Sequence, residues 1–421
     1  MYKYLRRGLA ALTLAVTGTA HSVPIYQSNE ATLYMSGYFT LHQVNSRGNT
    51  ALQDGASRIR FGLNVPAYDA WDVGFNLEWG ITTVGAGQDL VIQGDQQASA
   101  GDVGMSLFLR QGHGFANHEK WGDIAVGKQW GVYYDVSQIT DWYNVSGGLA
   151  SATYTLGTDG GITGTGRANR ASTWRNQWEI GPGDFQVGLQ YMAHTADLDI
   201  QVEDVAGEDT LLVCPPGDCE YGLGHAISLT YHADIGDGLF IGAAYNRIKL
   251  DIQSDRGEVY DITDPSDPIL IRNDRLIAAS SNSWATVLGL YYGKGAFEQG
   301  FYGALVFQRS QNSELAPEGV VMGTTNFFDA KGSESFLSYT WGRENCYSVY
   351  GGYNILKSDD VGFERRLVVG EEFRLAEYYL GVQYRWNERI RLYWENGYDD
   401  SNEVAESVMD SFMAVGFRID I

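Results

Sequence analysis

Three arginines, an aspartate and a pair of cysteines are the residues of this sequence whose type and placing could do chemistry. Arg58, Arg110 and Arg167 lie in or beside segments of alternating polarity, Asp141 lies in a long glycine-rich stretch, and Cys214 and Cys219 close the hexapeptide CPPGDC. Guanidinium groups present paired N–H donors that can hold an anion or a carboxylate. The cysteines flank turn-forming Pro215, Pro216 and Gly217, and an oxidising compartment favours their pairing as a disulfide. Cys346 stands alone in a strand pattern and reads as a packing residue. Metal chemistry is not indicated. No second Cys or His pair stands at ligand spacing from Cys214 and Cys219, and His113 and His118 fall on opposite faces of one extended segment. There is no Ser/His/Asp set with a recognisable local motif, so neither a reaction nor a cofactor is implied.

The elements that must position these residues are strands. After residue 30 the chain repeats one rhythm, about ten residues of alternating polarity and then a turn or a polar loop. In RIRFGLNV, Ile59, Phe61, Leu63 and Val65 share one face, with Arg58, Arg60 and Asn64 on the other. In WDVGFNLEWGI, Trp71, Val73, Phe75, Leu77, Trp79 and Ile81 alternate with Asp72, Asn76 and Glu78. Similar runs occupy 185–191, 226–232, 378–386, 389–395 and 411–421. Short turns near 66–70, 112–121, 181–184, 234–238, 293–299, 342–345 and 387–388 alternate with polar loops near 45–55, 84–102, 131–166, 195–222, 251–281, 310–333, 358–371 and 398–408.

Short connections at one end and long ones at the other define an up-and-down antiparallel barrel in an outer membrane, of about sixteen strands. Strands reaching almost to both chain ends let the first pair with the last, so that no open edge meets lipid. A soluble sandwich would alternate too, but it has no reason to place Trp71, Trp79, Tyr384, Trp386 and Trp394 at the ends of apolar faces, where interfacial girdles require them. An arginine on the lipid face of such a strand costs about 2–4 kcal/mol at the bilayer midplane, so Arg58, Arg110 and Arg167 are expected to face the lumen.

The composition agrees. Among 421 residues, 52 are Asp or Glu against 29 Lys or Arg, aromatics make up 13%, and there are 52 glycines but 8 prolines. So aromatic a chain is not disordered, and so acidic a chain repels nucleic acid. Beyond the first twenty residues no apolar run approaches the roughly 18–20 residues of a spanning helix. Lys3, Arg6 and Arg7, then GLAALTLAVT, then Gly18-Thr19-Ala20 have the order of a cleavable export signal. The expectation is a signal peptide over 1–20, with cleavage after 22 as the alternative, and one barrel domain over 21–421. A barrel this wide cannot fill its interior with side chains, so the long stretch 131–166 is expected to fold inside and narrow a water-filled lumen.

The wording of that region resembles one family. Gly127-Lys128-Gln129-Trp130-Gly131-Val132-Tyr133-Tyr134-Asp135, then Thr140-Asp141 and Gly147-Gly148, is similar to the fifth strand and third loop of the Gram-negative general diffusion porins. Ser57-Arg58-Ile59 with Phe61 resembles their second strand, and Arg110-Gln111 the start of their fourth. Gly166-Arg167 with Thr173-Trp174-Arg175-Asn176 resembles the junction after the third loop, and Phe412 to Ile421 the terminal strand. The resemblance implies a sixteen-stranded homotrimer in outer-membrane lipid and lipopolysaccharide, with the third loop folded inward. Arg58, Arg110 and Arg167 would then form the basic wall of the pore constriction and Asp141 a carboxylate facing it. Two departures stand out. Asn144-Val145-Ser146 replaces the family's frequent Pro-Glu-Phe before Gly147-Gly148, so a second carboxylate is missing, and the chain ends in Ile421 rather than an aromatic residue. The reading is a passive channel for ions and small hydrophilic solutes, not an enzyme. The rivals are a substrate-specific channel on the same barrel and a surface adhesin with a closed lumen.

Overall fold

The computed structural model describes residues 22–46, 48–84, 107–154, 159–193, 196–197, 202–203, 210–213, 219–252, 257–261, 269–274, 282–315, 327–359, 372–402, 405 and 410–421. Residues 1–21 lie outside that set, so the export signal does too. The same is true of Cys214, which leaves the CPPGDC pairing outside the described residues.

Sixteen antiparallel strands close into one barrel. In chain order they are β1 (Thr32–Ser46), β2 (Asn49–Asp54 continued by Arg58–Pro66), β3 (Trp71–Ile81), β4 (Leu107–His118), β5 (Gly122–Trp130), β6 (Arg167–Ile180), β7 (Gly183–Met192) and β8 (Cys219–Ala233). There follow β9 (Leu239–Ile252), β10 (Asn282–Tyr292), β11 (Gly300–Leu315), β12 (Phe327–Trp341), β13 (Tyr347–Ser358), β14 (Arg374–Arg385), β15 (Ile390–Asp399) and β16 (Phe412–Asp420). Each strand pairs with the next, and β1 pairs with β16 from Tyr38↔Asp420 to Ser46↔Phe412, which closes the ring. Below that seam Val23–Gln27 continues along β1, with Val23 opposite Met35, so the start of the described chain lies beside its end.

The period-two pattern sorts the faces as expected. Phe75, Leu189, Leu229, Ile241, Leu288, Leu305, Leu337, Leu380 and Val415 point outward and are exposed, forming an apolar belt. Their neighbours Glu78, Gln190, Ser228, Asn246, Gln308, Glu334 and Glu395 point inward and are buried. Near the short turns the belt ends in aromatic side chains in mutual contact, Tyr339 with Trp341 at 5.9 Å, Trp341 with Tyr347 at 6.0 Å and Tyr347 with Tyr384 at 5.4 Å. Such a girdle places amphipathic rings at a membrane interface.

Three expected loops contain strands instead. The stretch 45–55 is a tight hairpin in which Asn49–Asp54 pairs back onto Leu41–Ser46. Its own alternation is too short and too polar to read as a strand, and the β1 partner decides it. Strands within 195–222 and 251–281 pair with each other in a sheet separate from that of the barrel. Thr210–Val213 lies against Gly257–Asp261 in a four-stranded sheet, a non-local pairing that no local pattern announces.

Candidate functional site

In the segment between β5 and β6, residues 131–154 and 159–166 fold into the barrel, and local chemistry explains how. Trp130 stacks on Tyr134 with ring centroids 3.9 Å apart, which turns the chain inward directly after the strand. A short helix Tyr134–Ser137 and a 3-10 turn Gln138–Thr140 follow. Asp135 accepts from Arg175 Nε at 2.9 Å and from Ser228 Oγ at 3.1 Å, fixing the helix to the β6 and β8 wall. Val136 and Ile139 pack with Phe240, Val287, Tyr302, Val306 and Phe336 in one apolar cluster against β9–β12. Tyr302 Oη donates to the Ile139 carbonyl at 2.8 Å.

Beyond the helix, two wall carboxylates hold the loop by its backbone. Glu334 accepts from the Ala150 N–H at 2.7 Å and from Thr140 Oγ1 at 2.8 Å. Glu395 accepts from the N–H groups of Asn144 at 2.7 Å and Val145 at 3.1 Å, and from Tyr350 Oη at 2.8 Å. Gly147 and Gly148 have φ of 140° and 78°, a reversal that L side chains resist. On the wall, a Cβ at Gly332 would collide with the Ala150 carbonyl, so the loop can lie flat there only because that position is glycine. Tyr143 lies over Tyr379 at 4.2 Å and donates to the Ser335 carbonyl at 2.7 Å. Burial, reinforced by Glu395, Glu334 and Glu377, pushes its phenol well above the ordinary value, so it stays a neutral donor.

The arginines occupy three separate settings. Glu78 on β3 is the centre of the first. Its carboxylate takes Arg60 Nη2 at 2.5 Å and Arg110 Nε at 3.0 Å, with Arg58 Nη1 at 3.9 Å. Arg110 is 2% exposed. In the second setting Asp420 takes Arg391 at 3.0 Å and Arg418 at 2.6 Å. The Tyr38 ring lies between the two settings, with Arg418 Cζ 3.5 Å and Arg58 Cζ 4.5 Å from its centroid. The third setting is at the base of the loop. There Asp159 takes Lys128 at 2.7 Å and Arg167 at 3.4 Å, and Arg167, 1% exposed, lies over Trp130 and Tyr154. Burial alone would raise the Asp159 carboxyl, but Arg167 and Lys128 hold it below its ordinary value.

Of the residues singled out in the sequence, Arg58 and Asp141 therefore line one cleft of about 100 Å³, with Arg391 and Arg418 beside Arg58. Asp141 also accepts from Tyr134 Oη at 2.8 Å and Tyr154 Oη at 3.0 Å. Arg110 is packed behind the cleft against Glu78, and Arg167 is across the loop from it. Glu78, Arg391, Arg418, Asp420 and Asp159 escaped the sequence reading. A signal existed for two of them, because Arg391 and Arg418 fall on the polar faces of clean alternations. Nothing local marks Glu78 as the shared partner of three arginines, since those come from β2 and β4.

A closed barrel with an apolar belt outside, ionic pairs inside and a loop drawn across its lumen is a transmembrane channel of the outer-membrane type. The family model for Gram-negative porins matches residues 8–403, and the chain belongs to that family. Among solved structures, OmpF of Salmonella typhi in complex with daunomycin is similar, with TM-score 0.64 and 18% identity over 95% of this chain and 100% of that one. The outer-membrane channel DcaP of Acinetobacter baumannii gives 0.55 and 12% over 95% and 100%. An anion-selective porin from Comamonas acidovorans gives 0.53 and 14% over 93% and 100%. At these identities the likeness is one of fold. A search of curated proteins returned no match.

Proposed function

We propose that the protein is a homotrimeric porin admitting ions and small hydrophilic solutes by passive diffusion, with its constriction between Asp141 and the Arg58, Arg391 and Arg418 wall. The observation that carries this is the inward fold of residues 131–154 and 159–166, which leaves a charged cleft beside the apolar clusters that anchor the loop. Solute passes between a guanidinium wall and a carboxylate edge, so its dipole is oriented as it crosses and no bond is made or broken. Arg110 and Arg167 act here as fixed charges behind the surface, each held by its carboxylate. The trimer rests on family membership, and a trimeric form is recorded for the similar OmpT of Vibrio cholerae. Acidic outer loops such as 197–209 suit divalent ions that bridge to lipopolysaccharide. Removal of residues 1–20 rests on the order of Lys3, Arg6 and Arg7, then GLAALTLAVT, then Gly18-Thr19-Ala20.

Purified, refolded protein is expected to migrate faster unheated than heated and to enter planar bilayers in triplet conductance steps. Repeated confirmed insertions without conductance would overturn the channel reading, and single steps would overturn the trimer.

A further inference from the structure

The cleft has a second character that charge alone does not use. Part of its lining is aromatic. Trp142 and Tyr143 come from the loop, and Phe297 comes from the turn 293–299 between β10 and β11, on the short-turn side of the barrel. Phe297 is the unexpected member. A periplasmic turn has every reason to stay in water, yet this ring is 4% exposed inside the barrel. It packs edge-on to Tyr350 at 5.4 Å, Phe336 at 5.8 Å and Trp142 at 6.5 Å. Its backbone sits at φ 62°, a conformation that bulky residues rarely adopt. Arg385 on β14 donates to its carbonyl at 3.4 Å and ties the turn in that position. Local strain at a bulky residue persists only where the surroundings over-determine it.

We propose that this cleft is a binding subsite for small single-ring aromatic monocarboxylates. The carboxylate would lie against Arg58, Arg391 and Arg418, and the ring against Trp142 and Phe297. Arginine forks hold a carboxylate through two parallel hydrogen bonds. Asp420 takes Nη2 of Arg391 and Nε and Nη2 of Arg418, so a solute would meet the remaining N–H donors of these two arginines, both of which line the cleft. An inorganic anion would leave the aromatic wall unused. A second carboxylate on the solute would meet Asp141, which lines the same cleft, so dicarboxylates are disfavoured by like charge. The inference rests on the channel reading and adds a solute class to it.

The test uses sodium benzoate, sodium cyclohexanecarboxylate, sodium acetate and sodium phthalate on the full-length protein. In single-channel records in KCl, benzoate should interrupt the current at concentrations about three- to ten-fold below those needed for cyclohexanecarboxylate or acetate, the range an added aromatic contact supplies. Phthalate should be weaker than benzoate. Phe297→Gly removes the ring while accepting the positive φ, and Trp142→Leu removes the other face. Each should erase the preference of benzoate over cyclohexanecarboxylate. Calorimetric titration of the detergent-solubilised protein with the same salts reads the subsite without any current. Equal action of benzoate and acetate on the wild type, or a benzoate preference that survives both substitutions, would overturn the subsite. If KCl current is absent while calorimetry still prefers benzoate, the channel reading fails and the subsite stands.

Discussion

The two sides of the lumen use buried carboxylates for different purposes. On the side of β1–β4 and β15–β16, Glu78 and Asp420 each hold arginines, so charge is paired with charge. On the side of β12–β15, Glu334 and Glu395 accept from backbone N–H groups and hydroxyls of the loop and its neighbours. One side fixes the direction of the field and the other fixes the width of the passage. The difference shows that an inward acidic residue cannot be assigned a role from its face alone. Its role depends on whether the opposite partner is a guanidinium or an unpaired stretch of backbone.

Breaking the width-setting side should have the largest effect. Glu395→Ala leaves the Asn144 and Val145 N–H groups without their acceptor, and each buried orphaned donor costs about 1–3 kcal/mol. The loop should come away from β13–β15, raising single-channel conductance and opening residues 143–150 to protease. Glu395→Gln keeps an acceptor oxygen and should fall between the two. If conductance and protease resistance are unchanged, the apolar cluster around Val136 and Ile139 holds the loop without help. For the same reason Val145→Glu will not restore a pore carboxylate. Val145 is buried with Val44, Tyr379, Tyr393 and Phe412, and a charge there should undock the loop.

Breaking the field-setting side should alter selectivity more than width. Glu78→Ala removes the carboxylate that Arg60 and Arg110 share, and breaking a buried ion pair by removing one member costs about 3–5 kcal/mol. The temperature of barrel unfolding on gels should fall, and reversal potentials across a KCl gradient should move towards anions. An unmoved potential would mean that Arg58 contributes nothing at the surface of the cleft.

The smallest effect is expected where the loop leaves β5. The Asp159 carboxyl lies below its ordinary value of about 3.9, so its hold on Lys128 and Arg167 is complete at neutral pH. Because the folded value is the depressed one, that contribution is lost only as pH falls through it, below about pH 4. Channel noise should stay constant from pH 7 to about 4 and rise only below that, and Asp159→Asn should show the noisy state at pH 7. A wild-type transition near pH 6 would point to another group.

How much was legible follows from which interactions are local. Ile59, Phe61, Leu63 and Val65 against Arg58, Arg60 and Asn64 settle a strand and its lipid face, because side chains alternate with a period of two whatever the neighbour. Residues 131–166 were recognisable as one unit from the two strands that bound them. Alternating short and long connections implied closure into a barrel, since an open edge in lipid would leave backbone groups unpaired. None of this depends on which residues meet across the lumen. That Asn49–Asp54 is a strand, that 210–213 pairs with 257–261, that Glu78 gathers arginines from β2 and β4, and that Phe297 turns inward were decided only by the tertiary structure. Each joins residues distant in sequence, and the period of a strand tells which face a side chain takes but not which partner waits there.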